Sequence, residues 1–571
     1  MFDPSKPRSR VFLPAVLSGL LLYACYFPLN FGFLGWVALV PLLSLVRANA
    51  RSRRIYFAAF VGGLFCYVPA IQWIRVAHPA MYASWLILAV YCSLGQTFAI
   101  FFVRRLDRVG VPLWLGAPIA WMSVEYFRSH FPSGFTWLEP LGLHNPIGFG
   151  WYMLGHTQHE FIPLIQLADL TGVYGLTALV AMANGLIYQF ATNFDAWRNW
   201  VRMPGGPLPL TPRARCVVGG LILGAVAYGQ IQLATHAPFS DGPQVALIQG
   251  NIPQDMKNTA GRSMEEHFAK LAAEAVRPAD GRMPDLVVWP ETSYVGGWFD
   301  VTNGVDPRAL DPGPRAGYFN SRVVVPEDLA RYYESDDLRD PKLTTLLGLT
   351  SFEWDAADGK PWRYNSALLL DPSGRPAGRY DKVHLVPFGE YVLFGETLPF
   401  MRMFTPYDQD YSCKPGTRWT RFPLPVGDRT YHFACIICYE DSDPTLARRY
   451  VRPGAEGVDF FVNISNDGWF DGTEEHEQHL AVCRFRAVET RRSVVRAVNM
   501  GVSAIINPDG RVTALPGPDW RSSKKVEGVV RGEVPIDTRG TVYTRFGDWL
   551  PVLGWFVLVA GFVRGWRTRK A

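Results

Sequence analysis

Long apolar runs constrain this chain more than any other feature. A helix that crosses a bilayer needs about 20 predominantly apolar residues, within a range of about 17 to 25. Such stretches recur at residues 11–27, 31–47, 56–77, 84–103, 111–127, 171–191, 216–235 and 549–563, which predicts eight spans. Buried helices of a soluble protein do not follow one another at this length so many times. Residues 240–545 interrupt the pattern with charges, turns and short strand-like runs, and read as a water-facing domain. The mean hydropathy of +0.04 is therefore an average over two classes of sequence. The expected organisation is a seven-span membrane domain over 1–236, an outer domain over 240–545, and a closing span with a basic tail over 546–571.

Basic residues orient the spans, because loops on the cytoplasmic side retain Lys and Arg. If eight spans alternate, the amino terminus, Arg47 to Arg54, Arg104 to Arg108, Arg198 to Arg215 and the tail from Arg564 to Lys570 all fall on one side. Both termini are then cytoplasmic and 240–545 lies outside the cytoplasm. Lys6, Arg8 and Arg10 precede the first run without a small-x-small cleavage pattern after it, which predicts an uncleaved anchor. The formal net charge of +5 comes largely from these loops, so it implies no nucleic-acid partner.

In the outer region, strand-like runs at 244–250, 285–289, 345–351, 366–370, 432–437, 458–463, 494–498, 503–507 and 527–534 interleave with helical patterns at 263–277 and 475–491. This alternation predicts α/β layers. Asp371-Pro372-Ser373-Gly374 and Asn507-Pro508-Asp509-Gly510 have hairpin-turn composition, and 294–340 reads as an insertion.

Three of these segments end in chemistry. The strand-like Phe433 to Ile437 delivers Cys438 to an acidic turn, Leu286 to Trp289 leads to Glu291, and Tyr380-Asp381 leads to Lys382. A cysteine attacks as thiolate, and an ordinary pKa near 8.5 leaves only a minority ionised at neutral pH, so it needs a base or a cation nearby. Glu291 is suited to take the thiol proton, and Lys382 to favour the thiolate and then a tetrahedral oxyanion. The Tyr439 N–H is a candidate second oxyanion donor. Taken singly, each residue also has a plainer reading: a buried small hydrophobe for Cys435, Cys413 or Cys483, a turn for Glu291, a solvated charge for Lys382. Cys435-x-x-Cys438 lacks a second half-site, which argues against zinc or redox chemistry.

Trp289-Pro290-Glu291-Thr292, Lys382-Val383-His384-Leu385-Val386-Pro387-Phe388-Gly389-Glu390-Tyr391 and Ile437-Cys438-Tyr439-Glu440, in this order, resemble the nitrilase superfamily and, within it, the bacterial apolipoprotein N-acyltransferase family. Gln249 to Gln254, Asn466 to Phe470 and Tyr543 to Trp549 agree with it as well. The resemblance implies an αββα nitrilase-like sandwich beside the helical membrane domain. It implies ping-pong transfer of a fatty acyl chain from a phospholipid, through a Cys438 thioester, to the amine of a diacylated apolipoprotein. Glu390 would position Lys382 or substrate, and Tyr439 and Glu440 would shape the pocket. The same resemblance implies a monomer of the bacterial inner membrane with a periplasmic catalytic domain, and no metal, nucleotide or redox cofactor. Arg128, Phe131, Phe135 and Trp137 suit either a lipid entrance or an interfacial belt. Asn258 stands where the family usually has tryptophan, which leaves lipid or acceptor preference open. Two alternatives remain: a membrane-tethered amidase or nitrilase-type hydrolase with the same triad, and a transporter or receptor with an inert outer domain.

Overall fold

The computed structural model describes residues 3–5, 7–131, 148–254, 261–278, 281–294, 297–301, 343–355, 360–392, 395, 397–404 and 411–570. Most of the 294–340 segment, Asn258, Phe135 and Trp137 lie outside the described residues. The chain divides into two compact units, one of residues 1–131, 148–237 and 540–571 and the other of 132–147 and 238–539.

The first unit is helical: α1 Phe12–Ala24, α2 Ser52–Ala70, α3 Met81–Arg108, α4 Leu113–His130, α5 Val173–Ala191, α6 Pro212–Thr235 and a closing helix Trp549–Lys570. Among the described residues, three helices are long and apolar enough to cross a membrane: Met81–Arg108, Val173–Ala191 and Pro212–Thr235. The helices of this unit leave Phe57, Ile87, Leu223 and Phe556 exposed, an apolar surface that water does not favour. α1 and α2 meet where a Cβ on Gly19 would come within 2.0 Å of the Gly62 carbonyl, so small residues permit the close approach.

The expected span at 31–47 takes another form. A 3-10 turn Gly32–Trp36 and the short helix Val40–Leu43 replace a continuous helix. Pro41 has no N–H to continue a ladder. Asn184 of α5 supplies partners instead, donating to the Gly35 carbonyl at 2.8 Å and accepting the Leu39 N–H at 2.8 Å. Irregular backbone in an apolar setting persists only with such satisfaction. Arg128, which suited either a lipid entrance or an interfacial belt, is buried within α4, where it donates to Tyr67 Oη at 3.0 Å and the Trp151 carbonyl at 2.6 Å. Its role there is to join helices.

The second unit consists of two sheets. The first holds β1 Gln244–Gln249, β2 Leu286–Val288, β3 Trp298–Val301, β4 Thr344–Asp355, β5 Lys360–Leu370, β6 Pro376–Asp381 and β13 Gly528–Glu533, in the order β13-β1-β2-β4-β5-β6 with β3 beside β4. The second holds β7 Phe422–Val426, β8 Arg429–Ile437, β9 Phe460–Asn466, β10 Ser493–Asn499, β11 Ala504–Ile506 and β12 Val512–Ala514, in the order β12-β11-β10-β9-β8-β7.

Alternating residues build the layers. Val245, Leu247, Val288 and Leu346 of one sheet share a core with Phe433, Cys435, Ile437, Val462 and Val495 of the other. The opposite faces, through Ala246, Ile248 and Leu347, pack on Phe268, Leu271 and Ala275 of α7 Gly261–Ala275. Ala434, Ile436 and Phe461 pack on Leu480, Cys483 and Ala487 of α8 Glu475–Thr490. The result is a four-layer αββα sandwich.

Strands β3, β6, β7 and β12 were not expected from periodicity. β7 carries Pro423 and Pro425 and lies at a sheet edge, where proline costs few ladder bonds.

Candidate functional site

β8, β9 and β10 run parallel to one another, so their carboxyl ends open on one side of the sheet, the usual place for a site in such layers. Cys438 is the first residue past β8 and starts the 3-10 turn Cys438–Ser442. Its φ of +53° is a left-handed conformation that a side-chain-bearing residue rarely adopts. The strain turns the thiol out of the strand at a sharp corner, and Cys438 is partly exposed where Cys435, three residues earlier, is buried in the intersheet core.

The structure brings Glu291, Lys382 and Glu390 together. Lys382 Nζ lies 3.3 Å from Glu291 Oε1 and 2.9 Å from Glu390 Oε2, and its side chain is only 1% exposed. Asn365 of β5 bridges the two carboxylates, donating to Glu291 Oε1 at 2.6 Å and Glu390 Oε1 at 2.7 Å. The Asn466 N–H donates to Glu291 Oε2 at 2.8 Å, and the Val386 N–H to Glu390 Oε2 at 2.9 Å. Burial opposes the Lys382 charge, yet Glu291, Glu390 and Cys438 together hold its pKa well above the usual lysine value. Lys382 is therefore an ammonium throughout the neutral range.

The thiol behaves differently. Burial first, then Glu291, push the Cys438 pKa up to about 12, while Lys382 and His479 pull against the rise. Cys438 is thus within electrostatic reach of Glu291 and Lys382, and it rests as a neutral thiol.

Glu440 ties the lysine segment to the nucleophile turn. Its carboxylate is fully buried and accepts N–H bonds from Val383 at 2.7 Å, His384 at 3.1 Å and Ile437 at 2.7 Å, plus the Tyr380 hydroxyl at 2.9 Å. It therefore acts through the backbone on both sides of the site. Tyr439 follows the thiol in the same turn and is partly exposed.

Sequence reasoning missed Asn365, Asn466 and Tyr380 as parts of this arrangement. Asn466 belongs to a segment noted for its resemblance; Asn365 and Tyr380 carry no spacing signal. Cys413 is buried, with its N–H on the Glu390 carbonyl at 2.8 Å. All eight cysteines are unpaired.

Asp467, Glu475 and His479 bring ligand atoms within 4.8 Å of one another, the one such group among the described residues. Arg496 donates to Asp467 Oδ2 at 3.1 Å and Ser465 to Asp467 Oδ1 at 2.6 Å, so protein donors already answer the carboxylate. This donor set fits an internal ion network better than a metal centre.

The family described as apolipoprotein N-acyltransferase N-terminal domain matches residues 18–186, and the carbon-nitrogen hydrolase family matches 244–540. The apolipoprotein N-acyltransferase of Geobacter metallireducens is 33% identical over 568 residues, covering 97% of this chain and 95% of that protein. That of Rhodopirellula baltica is 27% identical, covering 91% of each. The crystal structure of a carbon-nitrogen hydrolase from Helicobacter pylori, 15% identical, aligns with a TM-score of 0.33 over 51% of this chain and 88% of that one. With both family models matched along the chain and a relative 33% identical over 97% of it, the chain belongs to the apolipoprotein N-acyltransferase family.

Proposed function

We propose that this enzyme moves a fatty acyl chain from a phospholipid to the amino-terminal S-diacylglyceryl-cysteine amine of lipoproteins through a thioester on Cys438. The observation that carries the reading is the buried set of Glu291, Lys382 and Glu390 acting on a thiol at a strained strand end. In the first half-reaction Glu291 takes the thiol proton as sulfur attacks the ester carbonyl. The oxyanion is met by Lys382, which directs two N–H donors at Glu291 and Glu390 among the described residues and has a third to offer. The Tyr439 N–H is the second donor. As the tetrahedral adduct collapses, Glu291 returns the proton to the leaving alkoxide and lysophospholipid departs. In the second half-reaction the lipoprotein amine attacks the thioester, Glu291 takes its proton, and Cys438 is released as the thiol.

Glu390 positions Lys382, and Glu440 and Tyr439 shape the turn behind the thiol. Residues 1–236 supply seven membrane segments, the helices α1 to α6 and the broken segment at 31–47; 546–571 supplies the eighth with a cytoplasmic tail, and 240–545 is a periplasmic catalytic domain of a bacterial inner-membrane monomer. Each buried CH₂ contributes about 0.8 kcal/mol to keeping an acyl chain in the bilayer. A chain that carries both membrane helices and the thiol has no need to extract the acyl tail into water. A small-molecule amidase has no need of such helices.

The test is a product balance. Purified enzyme given phospholipid and a diacylated lipopeptide forms N-acylated peptide and lysophospholipid one for one. Free fatty acid in place of acylated peptide would favour the hydrolase.

A further inference from the structure

A second set of charges lies behind the nucleophile turn, unused by the steps above. His479 of α8 is 1% exposed, and both of its ring nitrogens face carboxylates. Nε2 is 3.1 Å from Asp441 Oδ1; Nδ1 is 3.2 Å from Asp467 Oδ1 and 3.4 Å from Glu475 Oε1. An acceptor on each side requires a proton on each nitrogen.

Arg496 of β10 closes the set, with its two terminal nitrogens 3.0 Å from Asp441 Oδ2 and 3.1 Å from Asp467 Oδ2. Among the described residues, further titratable groups near His479 include His476 and Cys483 on its own helix and the Cys438 thiol. His476 accepts the Gly472 N–H on Nε2 at 2.7 Å, so its proton sits on Nδ1, 3.7 Å from Asp467 Oδ2. Burial and then Asp467 push Glu475 up, toward the neutral carboxyl. Burial and Arg496 disfavour charge on His479, but Asp441 and Asp467 hold it well above the usual histidine value. Two carboxylates thus face two cations.

The network reaches the nucleophile by two routes. Asp441 belongs to the turn that Cys438 begins. Arg496 also donates to Asn463 Oδ1 at 2.7 Å, and Asn463 donates to the carbonyls of Ile436 at 3.1 Å and Cys438 at 3.4 Å.

We propose that His479 is a positioning residue for acyl transfer: clamped between Asp441 and Asp467, it fixes the turn that carries Cys438 and supplies, with Lys382, positive charge that favours the thiolate. This rests on the assignment of Cys438 as nucleophile. His479→Gln and His479→Asn each keep one neutral N–H donor but no charge.

In full-length enzyme in micelles, both variants slow iodoacetamide alkylation of Cys438 at pH 8, read on its own peptide by mass spectrometry, by about fivefold or more. kcat falls by a similar factor, and KM for phospholipid stays within about twofold. A purely structural role would lower the folded fraction and leave the alkylation rate per folded molecule unchanged. Should both variants fail to fold, histidine C2–H deuterium exchange in the unsubstituted enzyme decides: His479 shows no titration between about pH 5 and 8, whereas a midpoint near the ordinary 6.5 overturns the proposal. Loss of transfer in Cys438→Ala, together with unchanged alkylation and kcat in both His479 variants, overturns this inference alone. Transfer that survives in Cys438→Ala overturns the nucleophile assignment itself.

Discussion

At the scale of single residues, Glu440 connects the two halves of the site. Glu440→Ala leaves three backbone N–H groups and the Tyr380 hydroxyl without their acceptor. Each orphaned buried donor costs about 1–3 kcal/mol. The expected outcome is a lower apparent melting temperature and a fall in kcat of about tenfold or more, with Glu440→Gln, which keeps one carbonyl acceptor, in between. The raised Cys438 pKa gives a second prediction. A raised acid pKa means the neutral form dominates below it, so thiolate grows by about tenfold per pH unit up to about 12. Alkylation of the lipid-free enzyme therefore keeps climbing through about pH 9.5, and a plateau near 8.5 would contradict the geometry. Glu291 and Cys438 were legible in the sequence because each ends a strand-like run, and Lys382 because it lies inside the contiguous string Lys382 to Tyr391. Asn365, Asn466 and the Asp441, Asp467, His479 and Arg496 network were not. Their partners come from separate elements, and no spacing along the chain records that convergence.

At the scale of elements, the loop bearing Glu291 is set by its neighbour β4. The Gly348 carbonyl accepts the N–H groups of Ser293 at 2.9 Å and Tyr294 at 3.0 Å. A Cβ on Gly348 would fall 2.0 Å from the Pro290 carbonyl oxygen and 2.8 Å from Glu291 Cα. Gly348→Ala therefore displaces the base while the sandwich still folds. A misplacement near 1 Å costs on the order of 100-fold, so kcat drops steeply while far-UV circular dichroism is unchanged. An unaltered kcat would mean that the Glu291 loop is not held by β4. Strands buried on both faces were legible from their apolar runs; those with prolines or glycines, such as β7 and Pro376–Asp381, were not. The segment at 31–47 misled for a related reason. Its composition is apolar enough for a span, but Asn184, distant in sequence, satisfies its broken backbone.

At the scale of the whole molecule, the separation into a helical unit and an αββα unit follows from where charge and turns enter an otherwise apolar chain. The orientation proposed for the spans predicts a labelling pattern. In cells, a membrane-impermeant thiol reagent modifies Asp428→Cys on the exposed β7–β8 turn, and exposed Cys216 reacts only after the membrane is opened. The reverse pattern would place the catalytic domain in the cytoplasm. Fold class was legible because alternation and run length are properties of the chain itself; which lipid and which acceptor are used depends on surfaces that no periodicity encodes. The central claim is that one sulfur carries the acyl group between two lipids, and trapping that intermediate tests it most directly. Enzyme incubated with phospholipid bearing a labelled acyl chain, without acceptor, is digested and mapped by mass spectrometry. The account predicts a hydroxylamine-sensitive acyl group on the Cys438 peptide, discharged by a diacylated lipopeptide and absent from Cys438→Ala; label on another residue, or peptide acylation that persists in Cys438→Ala, would contradict it.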